Sequence, residues 1–175
     1  IKVIGEDGKE LPTDGIGEVA IKSTNNFRCY LKNEDATNEV LDAEGWFRTG
    51  DVGCIDEEGF LYIKDRIKDI VIRGGENIAC LEIEAAIYEH PSVREASVFG
   101  VPDERLGEKL ATRISLNPGA TLSHEELSSF LSEKIAKFKV PEYSWFQAEE
   151  LPKVAAGKIA KKQMREEAIA ELESK

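Results

Sequence analysis

The spacing of apolar residues predicts strands in the first part of the chain. Alternating or β-branched apolar runs predict three strands, at residues 17–21, 46–55 and 60–63. A short polar helix is predicted to begin near Asn33 and to run to Leu41. Gly59 ends the loop between the last two strands, where a hairpin needs a positive φ that glycine adopts at little cost.

From about residue 66 onward, helical spacing alternates with short β-rich runs. Three helices are predicted, at about residues 81–89, 123–135 and 159–172. Ser123 followed three residues later by Glu126 is the pattern of a capping box at the start of the second helix. Strands are predicted around these helices, at residues 70–72, 96–101, 110–116 and 142–146.

These two blocks together predict an α+β fold. Residues 1–65 are predicted to form a mostly-β N-terminal segment. Residues 66–175 are predicted to form a small α+β domain with a central sheet and helices packed on it. A run of alternating charges, residues 64–69, lies at the boundary, and by composition alone such a run is usually a solvated turn.

Composition and charge exclude several classes of function. The chain has 23 lysines and arginines against 34 aspartates and glutamates, a formal net charge of −11, which argues against nucleic-acid binding. Anion binding must then be local. The sequence has no run of about 18 apolar residues, so no membrane span is predicted. Three widely spaced cysteines and two histidines predict reduced thiols and no metal site.

Two lysines five residues apart, Lys153 and Lys158, flank a flexible loop of small residues before the last predicted helix. Such a loop can bring an ammonium group close to an anion without crowding it. Either lysine then offers a compact positive charge to a phosphate or carboxylate oxygen. A surface loop with two solvated lysines is the alternative, and the spacing alone leaves both interpretations open.

Four other residues are suited to ligand binding, although each motif alone is weak. Asp51 follows a Thr-Gly pair, and its carboxylate has two oxygens that can accept hydrogen bonds from neighbouring hydroxyls. Arg66 offers a rigid fork of donors, and Lys68 lies where a hinge can absorb changes in φ and ψ. Gly75 allows a close backbone approach to a ligand. The alternative for each is an ordinary turn or surface position.

The order of short motifs along the chain is more specific than any one of them. They read GWFRTGD at 45–51, GFLYI at 59–63, DRIKD at 65–69, GGENI at 74–78, EIE at 82–84, VFGVPD at 98–103, GE at 107–108, KFKVP at 137–141 and PK…GK at 152–158. This series resembles the second half of the acyl-CoA synthetase, adenylation-domain and luciferase superfamily of adenylate-forming enzymes, over about residues 17–165. The GGENI motif is most similar to that of fatty-acyl or aryl-CoA ligases.

Enzymes of that superfamily use Mg-ATP to convert a carboxylic acid into an acyl-adenylate, and the acyl group then passes to the thiol of CoA. The resemblance implies that Asp51 and Arg66 bind the ribose of ATP or AMP. It implies that Lys68 is the hinge residue and that Gly75 lines the path of the CoA pantetheine. Lys158 is implied to be the catalytic lysine, which stabilises carboxylate and α-phosphate oxygens.

The resemblance also implies how the chain is divided between domains. Residues 1–65 correspond to the distal lobe at the end of a large N-terminal AMP-binding domain, and residues 66–175 correspond to a mobile C-terminal domain. The phosphate loop, the acid pocket and the Mg²⁺ site are expected upstream, so these 175 residues alone are expected not to form adenylate. The implied partners are a carboxylic acid, ATP, CoA and that N-terminal domain, and the implied location is the cytoplasm.

The same resemblance leaves three alternatives to a CoA ligase. A carrier-protein-loading adenylation enzyme and a luciferase-like relative share the adenylation chemistry and differ in their second reaction. A non-catalytic module of the same fold is the third. The presence of Asp51 and Lys158 argues against this last alternative.

Overall fold

The strands form two separate sheets, one in each part of the chain. The computed structural model describes residues 1–174 and divides into two units, residues 1–68 and residues 69 onward. One sheet has four strands and the other has five, and four α-helices accompany them among the described residues. The α+β class predicted from the sequence is confirmed.

The first unit is an antiparallel sheet with one short helix. Its strands are β1 (Lys2–Ile4), β2 (Gly17–Ile21), β3 (Phe47–Ile55) and β4 (Leu61–Arg66), in the spatial order β1-β2-β3-β4. Helix α1 (Glu34–Val40) begins where predicted, because the Asn33 side chain accepts a hydrogen bond from the Ala36 N–H and caps the first turn. Strand β1 was missed, because three residues are too few to show an alternating pattern.

The turn between β3 and β4 has the predicted hairpin form. Asp56 Oδ1 accepts hydrogen bonds from the backbone N–H groups of Glu58 at 3.0 Å and Phe60 at 2.8 Å. Gly59 has a φ of +87°, and its N–H donates to the Asp56 carbonyl at 3.0 Å. These local bonds set the register in which β4 returns along β3.

The second unit begins at Asp69, the last residue of a short 3₁₀ turn, Ile67–Asp69. Its strands are β5 (Ile70–Arg73), β6 (Glu76–Ala79), β7 (Val93–Asp103), β8 (Gly107–Leu116) and β9 (Tyr143–Gln147). Its helices are α2 (Cys80–Tyr88), α3 (His124–Ser132) and α4 (Lys161–Glu173), with a second 3₁₀ turn at Lys137–Lys139. The strand order is β6-β5-β8-β7, all antiparallel, and β9 pairs with β8 in parallel.

Helices cover both faces of this second sheet. Along β7, Val98 packs with the residues of α2 and α3, whereas the next residue, Phe99, packs with α4. On β8, Leu110 likewise packs with residues of α2 and α3, whereas Ala111 packs with α4. All four side chains are at most 2% exposed. A sheet buried on both faces needs apolar residues at consecutive positions, which explains the continuous apolar runs in these strands.

Strand β6 was not predicted, and strand β7 is longer than predicted. At residues 76–79, where no strand was predicted, the Gly74–Gly75 turn folds the chain back against β5 as β6. Strand β7 was predicted to end at Pro102, yet it continues through Pro102 to Asp103. Because β7 is an edge strand, one side of it needs no hydrogen bonds, so a proline is tolerated there.

The capping box of α3 supplies a test of the fold. Ser123 Oγ accepts a hydrogen bond from the Glu126 N–H at 3.2 Å, and Glu126 Oε2 accepts one from the Ser123 N–H at 2.8 Å. We expect Ser123→Ala to lower the free energy of unfolding by about 1 kcal/mol in urea titrations, whereas Ser123→Gly should cost only a few tenths. Equal losses in the two variants would show that the cap does not stabilise α3.

Candidate active-site residues

Asp51 and Arg66 lie opposite each other on neighbouring strands. They form a cross-strand pair of β3 and β4, and Arg66 Nε donates a hydrogen bond to Asp51 Oδ1 at 3.1 Å. The Arg66 side chain is 64% exposed and that of Asp51 is 29% exposed. Two residues that are fifteen positions apart in the sequence therefore present a carboxylate and a guanidinium together to solvent.

Neighbouring residues hold the backbone at Asp51. The Asp51 N–H donates to Thr49 Oγ1 at 3.0 Å, and Thr49 Oγ1 in turn donates to the Val19 carbonyl at 2.9 Å. Gly50 has a φ of +73°, and its N–H donates to Glu18 Oε1 at 3.1 Å. The Thr-Gly pair before Asp51 thus ties this part of β3 to β2 and fixes where the carboxylate emerges.

Lys68 lies in the short 3₁₀ turn between β4 and β5 and is exposed. It is the last residue of the first unit. Within residues 1–174, no carboxylate oxygen lies within 4.0 Å of its ammonium group. A hinge at Lys68, expected from the resemblance, stays a prediction.

Gly75 is the second residue of a two-residue hairpin turn. Gly74 and Gly75 have φ values of +61° and +88°, and the flanking residues Arg73 and Glu76 pair across the turn. A hairpin of this length with positive φ at both central positions strongly favours glycine. A Cβ added at Gly75 would meet nothing within 4 Å, so the backbone there is open to approach.

Lys158 lies at the end of a tight hairpin. The Val154 N–H donates to the Lys158 carbonyl, and the Gly157 N–H donates to the Val154 carbonyl, both at 2.8 Å. Gly157 has a φ of +79°, and Lys153 pairs with Ile159 across the base. The flexible loop predicted from the small residues is therefore corrected to a hydrogen-bonded hairpin, because Gly157 closes the turn. We call residues 153–159 the Lys158 hairpin.

The two lysines of this hairpin have different surroundings. Lys153 Nζ lies 2.9 Å from Glu95 Oε1 and 2.8 Å from Glu150 Oε2. Lys158 is exposed, and none of the residues that the structure describes places a carboxylate within 4.0 Å of it. An ammonium already paired with two carboxylates has little positive potential left for a phosphate. Of the two lysines, Lys158 is the one suited to bind an anion.

Two residues near this hairpin were missed by sequence reasoning. Glu95 on β7 contacts Lys153, and Lys161 at the start of α4 lies 3.0 Å from Glu84 Oε1 on α2. Burial opposes the charged form of Lys161, but the carboxylates of Glu84 and Asp69 outweigh it, so its pKa is raised. The two residues of each pair are far apart in the sequence, so no local pattern predicts that they meet.

Side chains that could bind a metal ion are scattered in the described part of the chain. In the described part of the chain, no group of three or more histidines, cysteines, aspartates and glutamates could hold a metal ion. The thiols of Cys29, Cys54 and Cys80 are free of disulfides. No helix among residues 1–174 is long and apolar enough to cross a membrane.

Comparison with known proteins identifies the family. Residues 82–158 match the AMP-binding enzyme C-terminal domain. The chain therefore carries the C-terminal domain of an AMP-binding enzyme, and the resemblance to adenylate-forming enzymes predicted from the sequence is confirmed.

Curated relatives match along nearly the whole chain. Crotonobetaine/carnitine–CoA ligase of Salmonella arizonae is 40% identical over 167 residues, which cover 94% of this chain and 32% of that protein. 2-Succinylbenzoate–CoA ligase of Bacillus cereus is 41% identical over 163 residues, which cover 93% of this chain and 33% of that protein. The chain thus spans about a third of the length of these relatives.

Solved structures also match along nearly the whole chain. ATP-bound MatB of Rhodopseudomonas palustris matches with a TM-score of 0.88 and 37% identity, over 96% of this chain and 33% of that one. o-Succinylbenzoate CoA synthetase of Bacillus subtilis, in complex with its acyl-adenylate intermediate, matches with a TM-score of 0.86 and 34% identity. This match covers 94% of this chain and 33% of that one. The amide bond synthetase McbA of Marinactinospora thermotolerans matches with a TM-score of 0.86 and 34% identity. This match covers 94% of this chain and 34% of that one.

The geometry of the Lys158 hairpin predicts a cost for any side chain at Gly157. Gly157→Ala would place alanine at a φ of +79°. A left-handed conformation costs a non-glycine residue roughly 1–2 kcal/mol. Gly119, with a φ of +78° and equally open surroundings, is a matched control. We expect both alanine variants to lower the free energy of unfolding by about 1 kcal/mol in urea titrations. A cost at Gly119 without one at Gly157 would contradict the hairpin geometry.

Proposed function

We propose that this chain is the C-terminal part of an ATP-dependent acyl-CoA synthetase. The enzyme that carries it activates a carboxylic acid as an acyl-adenylate, with release of pyrophosphate, and then passes the acyl group to the thiol of CoA, with release of AMP. Mg²⁺ accompanies ATP and is held outside these residues. The enzyme acts in the cytoplasm.

The Lys158 hairpin carries this proposal. Its turn is fixed by backbone hydrogen bonds, and its exposed Lys158 ammonium has no carboxylate within 4.0 Å in the described chain, whereas the ammonium of Lys153 is paired. Adenylate formation brings the negatively charged carboxylate against the α-phosphate, and negative charge is concentrated on the oxygens of the α-phosphate as the bond forms. A single positive charge brought to these oxygens on a defined turn stabilises that transition state.

Asp51 and Arg66 are proposed to bind the ribose of the nucleotide. Their side chains meet on adjacent strands, with the Arg66 Nε 3.1 Å from Asp51 Oδ1. A carboxylate can accept hydrogen bonds from both hydroxyls of a ribose. The guanidinium orients the carboxylate and has further N–H donors for the ring or hydroxyl oxygens.

Residues 1–65 are proposed to belong to the large N-terminal domain and residues 66–175 to a mobile C-terminal domain. Strand β4 ends at Arg66 and strand β5 begins at Ile70, so no strand pairing constrains the residues between them. Rotation about Lys68 would exchange the group that faces the reacting centre. Lys158 serves adenylate formation, and Gly75 borders the path of the CoA pantetheine in thioester formation.

Removal of the Lys158 ammonium tests the catalytic role. In the full-length enzyme that carries this sequence, we expect Lys158→Ala to lower the rate of adenylate formation by about 10²- to 10³-fold, the usual cost of losing one transition-state donor. Pyrophosphate exchange into ATP measures this half-reaction. Thioester formation from supplied acyl-adenylate should survive largely intact.

Lys162→Met is the control for this experiment. Lys162 lies four residues after Lys158, in the first turn of α4, and its side chain is 91% exposed. Its ammonium group lies 3.8 Å from Glu166 Oε1. The control should retain both half-reactions. Equal losses of both half-reactions in Lys158→Ala would argue against the proposed role.

A stiffened backbone at Lys68 tests the hinge. Proline fixes φ, so Lys68→Pro restricts rotation, whereas Lys68→Ala removes the ammonium and leaves the backbone free. We expect Lys68→Pro to slow thioester formation more than adenylate formation, and Lys68→Ala to affect both little. Rapid-quench measurement of each half-reaction distinguishes the outcomes. Equal damage by proline to both half-reactions would rule against a hinge at this position.

An amide-forming ligase is the second candidate. The amide bond synthetase McbA shares the fold with a TM-score of 0.86, and the aligned residues are 34% identical. On this alternative, the full-length enzyme would pass the acyl group of the adenylate to an amine instead of to CoA. Supplying the full-length enzyme with acid, ATP and either CoA or an amine determines which acceptor accelerates release of AMP.

A further inference from the structure

Glu95 fixes the start of the Lys158 hairpin to the edge strand β7. Its Oε1 lies 2.9 Å from Lys153 Nζ, and its Oε2 accepts a hydrogen bond from the Leu151 N–H at 2.8 Å. The Glu95 side chain is only 18% exposed. One carboxylate therefore holds a side chain and a backbone group on the same short segment.

Ionisation of this carboxylate is favoured by these contacts. Burial opposes the charged form of Glu95, but the hydrogen bonds from Lys153 and from the Leu151 N–H outweigh it, so the pKa of Glu95 lies below its ordinary value. Hydrogen bonds to Glu150 and Glu95 raise the pKa of Lys153. Both partners are therefore charged at neutral pH.

Backbone contacts transmit this anchor to Lys158. Lys153 pairs with Ile159 across the hairpin, and the Ala160 N–H donates to the Pro152 carbonyl at 2.7 Å. Leu151 and Ala160 are buried at the two ends of the segment, 2% and 7% exposed. A displacement of the Lys153 backbone would therefore shift the paired residue Ile159 and, with it, the neighbouring Lys158.

We propose that Lys153 is a positioning residue, whose ion pair with Glu95 sets the place from which Lys158 reaches the reacting phosphate. This inference rests on the proposed role of Lys158 in adenylate formation. Lys153 itself does not touch the substrate, because its ammonium is occupied by Glu95 and Glu150. An exposed hairpin held only by its turn would let Lys158 sample many positions. A displacement of about 1 Å at a reacting centre costs about 10²-fold in rate.

Amide hydrogen exchange on the 175-residue chain tests the anchor directly. The reporters are the N–H groups of Val154 and Gly157, which bond within the hairpin. In Glu95→Gln and Lys153→Met we expect both to exchange at least about threefold faster, the effect of losing a partly buried ion pair. Lys153→Arg, which keeps the charge, should restore slow exchange. Lys162→Met is the matched lysine control and should leave these two amides unchanged.

The same variants in the full-length enzyme test the effect on catalysis. We expect Lys153→Met to lower the kcat of adenylate formation by about 10-fold or more with little change in the KM for ATP, because the fault is in orientation. Thioester formation from supplied acyl-adenylate should be retained, and Lys153→Arg should recover most of the lost rate.

Three outcomes would overturn the proposal. Unchanged exchange at Val154 and Gly157 in Glu95→Gln and Lys153→Met would show that the pair does not hold the hairpin. A Lys153→Arg variant as impaired as Lys153→Met would exclude a role through charge. A parallel fall of both half-reactions would indicate a general loss of structure. If instead Lys158→Ala leaves adenylate formation intact, the proposed function fails, while the exchange data still decide whether Lys153 anchors the hairpin.

Discussion

The second sheet must be covered by helices on both faces, and this constraint determines where the Lys158 hairpin lies. Strands β7 and β8 bury consecutive side chains in opposite directions, so neither face can be left to solvent without exposing apolar surface. Helix α3 joins β8 to the parallel strand β9 and lies with α2 on one face. Helix α4 covers the other face. Residues 148–160 connect β9, which lies in the sheet, to α4 on this other face, and the hairpin is part of that connection.

Charge pairing then gives neighbouring lysines different properties. Lys153 begins the hairpin and Lys161 follows it, and each is paired with a carboxylate from β7 or α2. An ammonium group that is paired with a carboxylate restrains the backbone of its own residue, because the lysine side chain is then held at both ends. Lys158, between them, has no such partner in the described chain and can offer its charge elsewhere. Three similar residues within nine positions thus differ in chemistry through the partners that the fold brings to them.

Much of the fold follows from local patterns in the sequence. The helix cap at Asn33, the hairpin closed by Gly59 and the capping box at Ser123 each depend on residues within a few positions, so they could be predicted. Strand β6 could not, because its partner is chosen by the turn geometry at Gly74 and Gly75 rather than by its own apolar pattern.

In the candidate site, too, local features could be predicted from the sequence and long-range contacts could not. The type of each residue and the order of motifs were visible in the sequence, and so was the implied family. The approach of Arg66 to Asp51 depends on the register of β3 and β4, and the pairing of Lys153 with Glu95 depends on the packing of the hairpin beside β7. Both are long-range consequences of the fold. Local spacing therefore left the choice between Lys153 and Lys158 open, and the ion pairs distinguish them.

On the proposed function, the hinge at Lys68 would be confined to two residues. Arg66 is held by pairing with Asp51 in the first sheet, and Asp69 lies 3.8 Å from Lys161 at the start of α4. Ile67 and Lys68 are therefore the two residues between an anchored strand end and an anchored turn. On the proposed function, a rotation confined to these residues would move the second unit as one body. Lys158 and Gly75 would then keep their places on separate hairpins of that unit, and rotation alone would decide which of them faces the substrate.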